Sequence, residues 1–592
     1  MAKKLKILGV HGLGDHRNST WKEDWTQALQ GVFPGQDRID LEFTFVTYDP
    51  IFEGVDISGW ETAQAVWKLT RSAAGSIFRR RKGVIGDVSD RIKWTAGYVV
   101  AWVEDEGFQK QTRELILERV AVEQPDIILA HSLGSLITYN AFSHSDAQRT
   151  AVKSALKKAR YVTLGAQIGN PFVVRNLTPG RIAPLDVKQW FHLYNKEDDV
   201  FTAPIQLWDA DNFLQVHTTF DIDGFADHDA TEYLAHGNTV ADVWRPIAET
   251  TINARRFGPS KAARRRDGKA PGRVQRRALL VGINEYPNES DRLAGCINDV
   301  YRMSEVLQEC GFPPESIRLC LDDRATANGI LSRLDWLLDD PQPADERVLF
   351  FSGHGATIPE YGENNESDRL TETLVPYDFD WSPETAITDD QIYALYSQLP
   401  YGMQFAMIFD CCHSGGIHRD GGARPRGLNP PDDVRHRSIH WDLKTQMWVP
   451  RDFDRLNRDF SANELENSKY FGRSGSTTRI GRSSLLRGQS EADYKAMSRR
   501  AKGKPFGPYL PLIMEACGED EFAYEYRHGV TSYGAFTYAL STHLRQYKRI
   551  TFEKLVHETA KQLAELGYEQ KPQILGPRAV MGATVPWKKA NG

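Results

Sequence analysis

The sequence reads as two α/β domains in tandem, and three observations carry that expectation. At 592 residues the chain exceeds the roughly 250–300 residues at which a single hydrophobic core stops growing, so two domains are expected. Short apolar runs alternate with helical stretches in two blocks, 1–250 and 276–400, and such alternation builds a mainly parallel sheet. Between the blocks lies NARRFGPSKAARRRDGKAPGRVQRR, dense in Arg, Lys, Gly and Pro with almost nothing to bury. It reads as an exposed linker over 253–275, which sets the domains at 1–252 and 276–590.

In the first block the strands are KILGVHG, DIILAHS and ARYVTLG; in the second they are RALLVGIN, RVLFFSGHG and FAMIFDCC. A weakly patterned stretch at about 415–508, rich in Arg, Asp, Ser and Gly, reads as an insertion, after which LPLIMEACGEDEFAYE and SYGAFTYALSTHL resume the strand and helix pattern. Net charge is −6 with both signs interleaved, which excludes a polyanion-binding surface read from composition and leaves no nucleic-acid partner. All six cysteines (296, 310, 320, 411, 412 and 517) fall in the second half, a poor disulfide framework that points to a reducing compartment. Cys310, Cys320 and Cys517 read as buried structural thiols. The start MAKKLKILGVHGLGDH lacks a cleavage site and reads as a first strand. No window reaches the roughly 20 apolar residues of a spanning helix, and TAGYVVAWVEDEGF is broken by charge, so no transmembrane segment and a cytoplasmic location are expected.

Two of the second-block strands end in chemistry. FAMIFDCCHSGG puts Asp410, Cys411, Cys412 and His413 at one strand exit, and RVLFFSGHG puts His354 at another. Parallel strands ending at one sheet edge bring such side chains together. A thiol of ordinary pKa, ~8.5, is mostly protonated at neutral pH and needs a neighbouring imidazole to take its proton. SGHG followed by DCCHSGG resembles the signature of caspase-like peptidases, closest in spelling to type I metacaspases and their bacterial relatives. The resemblance covers roughly 276–580 and includes RRALLVGINEYP, LAGCINDVYRMSEVLQECGF, ACGEDEFAYE and YGAFTYAL. It implies Cys412 as nucleophile and His354 as base, with backbone amides of Gly355 and Cys412 as oxyanion donors. Cys411 stands where metacaspases usually have a smaller residue.

The same resemblance maps an acidic pocket onto Cys296, Asp299, Ser352 and Asp410. Two carboxylates there would reject acidic side chains and accept a guanidinium through charge-assisted bonds, which predicts cleavage after Arg or Lys. The reaction needs no cofactor, although the resemblance admits calcium at Asp389 and Asp390 of ITDDQIYALYSQL; Thr388 capping a helix with two acids in its first turn explains those residues equally well. Self-cleavage is expected in the insertion, at Arg473, Arg479, Arg482 or Arg487, with a second set in the linker at Arg264 to Arg266 and Arg276 to Arg277.

The first block carries its own constellation. In DIILAHSLGSLITYNAF, Ser132 follows a strand and precedes a helix in the frame A-H-S-L-G, the context of a nucleophile elbow, with Ala130 where G-x-S-x-G has its first glycine. KILGVHGLGDH ends in His11-Gly12 and resembles the oxyanion loop of α/β-hydrolase lipases and esterases, which implies amide donors at Leu13 and Leu133. Chain order in that fold is Ser, acid, His. WFHLYNKEDDVFTAP offers Asp198 or Asp199, with Asp198 preferred, and DGFADHDATEYLAHGN offers His228 or His236, with His228 preferred.

The reading is an Arg/Lys-directed, caspase-like cysteine peptidase acting on proteins, fused to a serine hydrolase with an ester or lipid substrate. Bacterial fusions of this kind resemble stress, cell-death or antiviral effectors. The alternative is a signalling or scaffold protein whose N-terminal domain is a degenerate hydrolase used for binding.

Overall fold

The computed structural model describes residues 2–12, 19–52, 90–252, 274–359, 370–412, 425–428, 439–442, 447–450 and 508–587, less 179, 199, 201, 208, 209, 223–226, 383, 384, 519 and 520. These residues fall into two compact units, one within 1–272 and one within 273–592.

In the first unit the apolar runs form β1 (Lys3–Val10), β2 (Ile39–Val46), β3 (Ile127–His131), β4 (Arg160–Leu164), β5 (Gln189–Tyr194) and β6 (Phe213–His217). They make one sheet in the order β2-β1-β3-β4-β5-β6, with every pair parallel. Helices α1 (Trp21–Val32), α2 (Glu106–Glu123), α3 (Leu133–Ser143) and α4 (Ala230–Ala235) surround it. Alternation along β3 decides what covers each face, because successive side chains point to opposite sides. Ile127 and Leu129 join Trp21, Trp25 and Leu29 of α1 and Tyr233 of α4, whereas Ile128 and Ala130 join Ile116, Leu117 and Val120 of α2. The strand order reverses between β1 and β3, and the crevice at such a point opens at the carboxyl ends of the strands. α2 starts cleanly because the Asp105 carboxylate accepts from the amides of Gly107 and Phe108. Just before it, the charge-broken run lies in a helix over Asp90–Glu104, and among the described residues no helix is long and apolar enough to cross a membrane.

The second unit contains β7 (Arg276–Gly282), β8 (Ile317–Leu321), β9 (Glu346–Ser352), β10 (Gly355–Pro359), β11 (Leu370–Leu374), β12 (Ile387–Thr388), β13 (Gln404–Asp410), β14 (Ile439–Asp442), β15 (Met447–Pro450), β16 (Leu512–Glu515), β17 (Glu525–His528), β18 (Thr531–Gly534) and β19 (Gln573–Leu575). Its main sheet runs β19-β16-β13-β9-β7-β8, parallel throughout except at the β19 edge. β10, β11 and β12 form a small antiparallel sheet directly after the β9 exit. One face of the main sheet is covered by α5 (Cys296–Glu309), α8 (Ala535–Gln546) and α9 (Phe552–Glu565), through Val300, Met303, Phe536, Leu540 and Leu555. The other is covered by α6 (Ala327–Leu337) and α7 (Asp389–Tyr396), through Ile330, Leu334, Ile392 and Tyr396. β9 serves both layers by alternation, Val348 and Phe350 facing one and Leu349 and Phe351 the other.

One expectation changes here. Arg276 and Arg277, read from sequence as the exposed end of the linker, are the first residues of β7. Arg276 pairs with Glu346 at 2.6 Å and Arg277 donates to the Trp336 carbonyl at 2.7 Å, so both are fixed in the sheet rather than in an open linker. The linker arginines 264–266 lie outside the described residues.

Candidate active site

β7, β9 and β13 pair in register, so that Gly282, Ser352 and Asp410 stand side by side at the carboxyl edge of the sheet. His354 and Cys412 each lie two residues beyond a member of that row, on the exits of neighbouring strands. The His354 Nε2 contacts the Asp291 carbonyl at 2.7 Å; a carbonyl only accepts, so Nε2 carries the proton and Nδ1 holds the lone pair of the neutral ring. Its pKa is pulled down to about 4, chiefly by burial, against the carbonyl of Asp291. The His354 amide donates to the Tyr286 hydroxyl, which in turn donates to the Val375 carbonyl, so this backbone is tied to two neighbouring segments. Cys411 and Cys412 pack into opposite layers, Cys411 with Tyr286 and Phe351, Cys412 with Met514 and Phe536. The Cys412 thiol is pushed up to about 12, mainly by burial, so it stands protonated in this state.

The four residues mapped to the pocket meet. Asp299 comes from the first turn of α5, Ser352 and Asp410 from the strand ends, and all three are buried together with Cys296. The Ser352 hydroxyl donates to Asp299 at 2.8 Å, and the Gly534 amide donates to both Asp299 oxygens at 2.8 and 2.9 Å. Asp410 is held by the amide and hydroxyl of Thr537 at 3.0 and 2.5 Å. Burial pushes the Asp299 carboxyl up to about 7, with Arg426 pulling it down and the Asp410 charge pushing it further up.

Sequence reading missed the group at the centre. Arg426 is fully buried, its Nη1 2.9 Å from Asp299, 3.3 Å from Asp410 and donating to Ser352 Oγ at 2.8 Å. A third carboxylate, Glu525, lies 3.8 Å from Nη2 and is fixed by the amides of Ala294 and Gly295 at 2.8 and 2.6 Å. Two glycines make the room: a Cβ on Gly534 would stand 2.1 Å from Asp410 Oδ2, and one on Gly295 would stand 2.8 Å from Arg426 Nη2. The amides of Gly355 and Cys412, expected as oxyanion donors, both donate to the Arg426 carbonyl, at 3.2 and 3.0 Å.

Known proteins resemble part of the second unit. Residues 276–419 match the family model described as metacaspase, peptidase C14 domain. The second unit carries a metacaspase, caspase-like peptidase domain. Metacaspase-5 of Trypanosoma brucei brucei is 36% identical over 174 residues, 28% of this chain and 33% of that protein. Metacaspase-1B of Aspergillus terreus is 37% identical over 149 residues, 24% of this chain and 38% of that protein. Metacaspase-1 of Schizosaccharomyces pombe is 36% identical over 150 residues, 24% of this chain and 34% of that protein. The chain thus spans less than half the length of these relatives. Among solved structures, caspase-1 from Spodoptera frugiperda aligns with a TM-score of 0.28 at 12% identity, covering 51% of this chain and 86% of that one.

In the metacaspase domain α7 begins at Asp389 behind a reciprocal capping box between Thr388 and Gln391. The side chains of Asp389 and Asp390 lie outside the described residues, and among the described residues no cluster of three or more His, Cys, Asp or Glu is arranged to hold a metal ion. His413 and the insertion arginines 473, 479, 482 and 487 also lie outside the described residues.

The first unit gathers a second set of groups at the carboxyl edge of its sheet. Ser132 sits between β3 and α3 with φ +52° and ψ −128°, a conformation that is costly for any residue with a Cβ and that projects the side chain from the strand end. Gly134 permits the turn, since a Cβ there would be 2.2 Å from the His11 carbonyl oxygen; a Cβ on Gly12 would be 2.8 Å from that of Ser132. His228 Nδ1 stands 2.7 Å from Asp198 Oδ2, both buried. Asp198 also accepts from the Tyr233 hydroxyl at 2.6 Å and the Val200 amide at 2.9 Å, a cradle the sequence did not reveal. The His228 ring lies against Gly165 and sits tilted beside His131, with centroids 4.7 Å apart, and the Ser132 amide donates to the Leu164 carbonyl at 3.0 Å, which places ring and elbow on the same edge. Leu133 is the buried first residue of α3. Of the alternatives, His236 accepts from the Asn238 amide at a helix start and Asp199 lies outside the described residues, as does Leu13, the other expected oxyanion donor.

Close packing at the elbow predicts a pair of contrasting variants. Gly134→Ala should destabilise the first unit by about 1–3 kcal/mol through overpacking against β1. Gly31→Ala, where an added Cβ meets nothing within 4 Å inside α1, should stabilise it by about 0.5–1 kcal/mol. Thermal unfolding of the two variants reads the difference; equal midpoints would remove the steric argument.

Proposed function

We propose that this chain is a cysteine endopeptidase cleaving proteins after Arg and Lys, joined to a serine hydrolase of the α/β-hydrolase type acting on acyl esters, lipids included. The observation that carries the peptidase specificity is the buried Arg426 guanidinium among Asp299, Asp410 and Glu525, with its carbonyl on the amides of Gly355 and Cys412. A pocket that holds this arginine would hold the arginine of a substrate in the same way. Cys412 attacks the scissile carbonyl, His354 takes its proton at Nδ1 and delivers it to the leaving amine, and the two amides stabilise the oxyanion. Water then releases the acyl group.

For the first unit the proposal rests on the Asp198–His228 contact together with the positive-φ turn at Ser132. Ser132 would attack the ester carbonyl with His228 as base and Asp198 fixing the ring. A cytoplasmic role in a bacterial stress, cell-death or antiviral response agrees with this pairing of hydrolases.

Three outcomes are expected. Arg and Lys peptides are turned over and Asp peptides are not; Asp299→Asn lowers kcat/KM on Arg peptides about 100- to 1000-fold, the loss of ~3–4 kcal/mol from a charge-assisted bond in a buried pocket. Comparable turnover of Asp peptides by the unaltered chain refutes the specificity.

A pH profile separates the two buried groups. Protonating Asp299 removes a negative charge facing the guanidinium, so kcat/KM should fall as pH drops through about 7, well above the pH of about 4 at which His354 gains its proton. Asp299→Asn should flatten that limb, and a parent profile flat down to pH ~5 would deny Asp299 this part.

Ser132→Ala should abolish hydrolysis of short acyl esters and labelling by a fluorophosphonate, while Arg-peptide turnover continues. An unlabelled parent chain would favour the binding-module alternative.

A further inference from the structure

Three donors close on the Asp198 carboxylate of the first unit, and the way they divide its two oxygens is specific. His228 Nδ1 lies 2.7 Å from Oδ2, the Tyr233 hydroxyl donates to the same Oδ2 at 2.6 Å, and the Val200 amide donates to Oδ1 at 2.9 Å. A carboxylate oxygen accepts along two lone-pair directions in the plane of the group, so Tyr233 takes one on Oδ2 and leaves the other to the imidazole. The amide on Oδ1 resists the rotation that would exchange the two oxygens. Since a carboxylate only accepts, His228 Nδ1 carries the ring proton and Nε2 is the basic nitrogen. The plane of the carboxylate therefore sets the direction of Nε2. Tyr233 is itself fixed from three sides: the Asn195 backbone hydrogen-bonds its hydroxyl, Phe220 meets its ring edge-on with centroids 5.0 Å apart, and the Thr239 hydroxyl donates to its carbonyl at 2.8 Å. Burial, reinforced by the Asp198 charge, raises the phenol well above its usual pKa, so the hydroxyl keeps its proton and remains a donor. Base and tyrosine also share one piece of chain, since α4 begins behind the Asp229 cap, with His228 just before that cap and Tyr233 in the helix. A tyrosine serving only the core would need an acceptor, not the very oxygen that orients the base.

Resting on the reading of this site as a serine hydrolase, we propose that Tyr233 is a positioning residue of the reaction, holding the Asp198 carboxylate in the plane that points His228 Nε2 at the Ser132 hydroxyl. No bond is made to Tyr233 and its proton stays on the phenol. Its contribution is orientation, and misplacing a reacting group by about 1 Å costs on the order of 100-fold in rate. The effect belongs in kcat, because the hydroxyl acts through Asp198 and His228 rather than on the bound ester. Tyr233→Phe isolates it: ring, helix and core packing stay, and Oδ2 loses one of its two donors.

The test uses the full chain, with turnover of p-nitrophenyl butyrate and the rate of fluorophosphonate labelling at Ser132 as readouts and thermal unfolding as the check on folding. Tyr233→Phe should lower kcat and the labelling rate about 10- to 100-fold while KM changes less than about 2-fold. Thr239→Val removes the bond to the Tyr233 carbonyl and loosens the same helix without touching Asp198, so kcat should stay within about 3-fold of the parent. In an Asp198→Asn chain, adding Tyr233→Phe should slow labelling by less than about 2-fold more, because a residue acting through Asp198 then has nothing left to position. Equal losses of kcat in Tyr233→Phe and Thr239→Val, losses that multiply in the double variant, a rise in KM alone, an unchanged kcat in Tyr233→Phe, or a Tyr233→Phe chain unfolded at the assay temperature would each leave the tyrosine a structural residue and overturn the proposal while sparing the hydrolase reading. A parent chain that neither turns over the ester nor takes the label would overturn the two together.

Discussion

Three parallel strands of the second unit end level with one another, and the site exists because they do. Backbone hydrogen bonding sets Gly282, Ser352 and Asp410 in one row, and the chain beyond each strand then delivers His354 and Cys412 to one edge. A one-residue slip of β13 against β9 would turn every side chain of the strand to the opposite layer, taking Asp410 out of the pocket and exchanging Cys412 for Cys411. The two layers make such a slip expensive: Met407 and Phe409 pack on one side of β13 and Ala406 and Ile408 on the other, all buried. Core packing and the alignment of that row are thus one constraint.

Charge balance is the second determinant. Three carboxylates converge on one guanidinium, with Asp299 and Asp410 fully buried, so the cluster carries an excess of negative charge unless a proton is stored. Burial pushes the Asp299 carboxyl upward, in the direction that such storage requires. Removing the cation from such a cluster costs about 3–5 kcal/mol where water cannot replace it. The cluster therefore holds Arg426 firmly. Glycines at 295 and 534 are part of the same arrangement, because any side chain there would stand where the guanidinium and carboxylate lie.

The first unit solves a comparable geometric problem by local strain. Its groups also gather at the carboxyl ends of parallel strands, but here Ser132 is aimed by a backbone held at positive φ. The surrounding structure sustains that strain through the close approach of Gly134 to β1, the Ser135 hydroxyl donating to the Ala130 carbonyl at 2.6 Å, and the Ser132 amide bonded to Leu164. Ala130 in place of glycine is accommodated because its methyl faces the core with Ile128 rather than the turn.

Apolar runs and their flanking residues were enough to read the parallel α/β architecture, because a strand buried on both faces leaves a continuous hydrophobic signature. Motif spelling also placed His354, Cys412, Ser132, Asp299 and Asp410 at strand exits or a helix start, where local chain geometry puts them. What sequence could not supply is every group that arrives by chain closure. Arg426 stands in a stretch rich in Arg and Gly that looks solvated, and Glu525, Asp291, Tyr286 and Tyr233 belong to segments with no periodic signal linking them to the residues they touch. An arginine facing water and an arginine sealed among three carboxylates have the same local sequence, and only the tertiary fold decides between them, because desolvation and pairing are properties of the assembled surroundings.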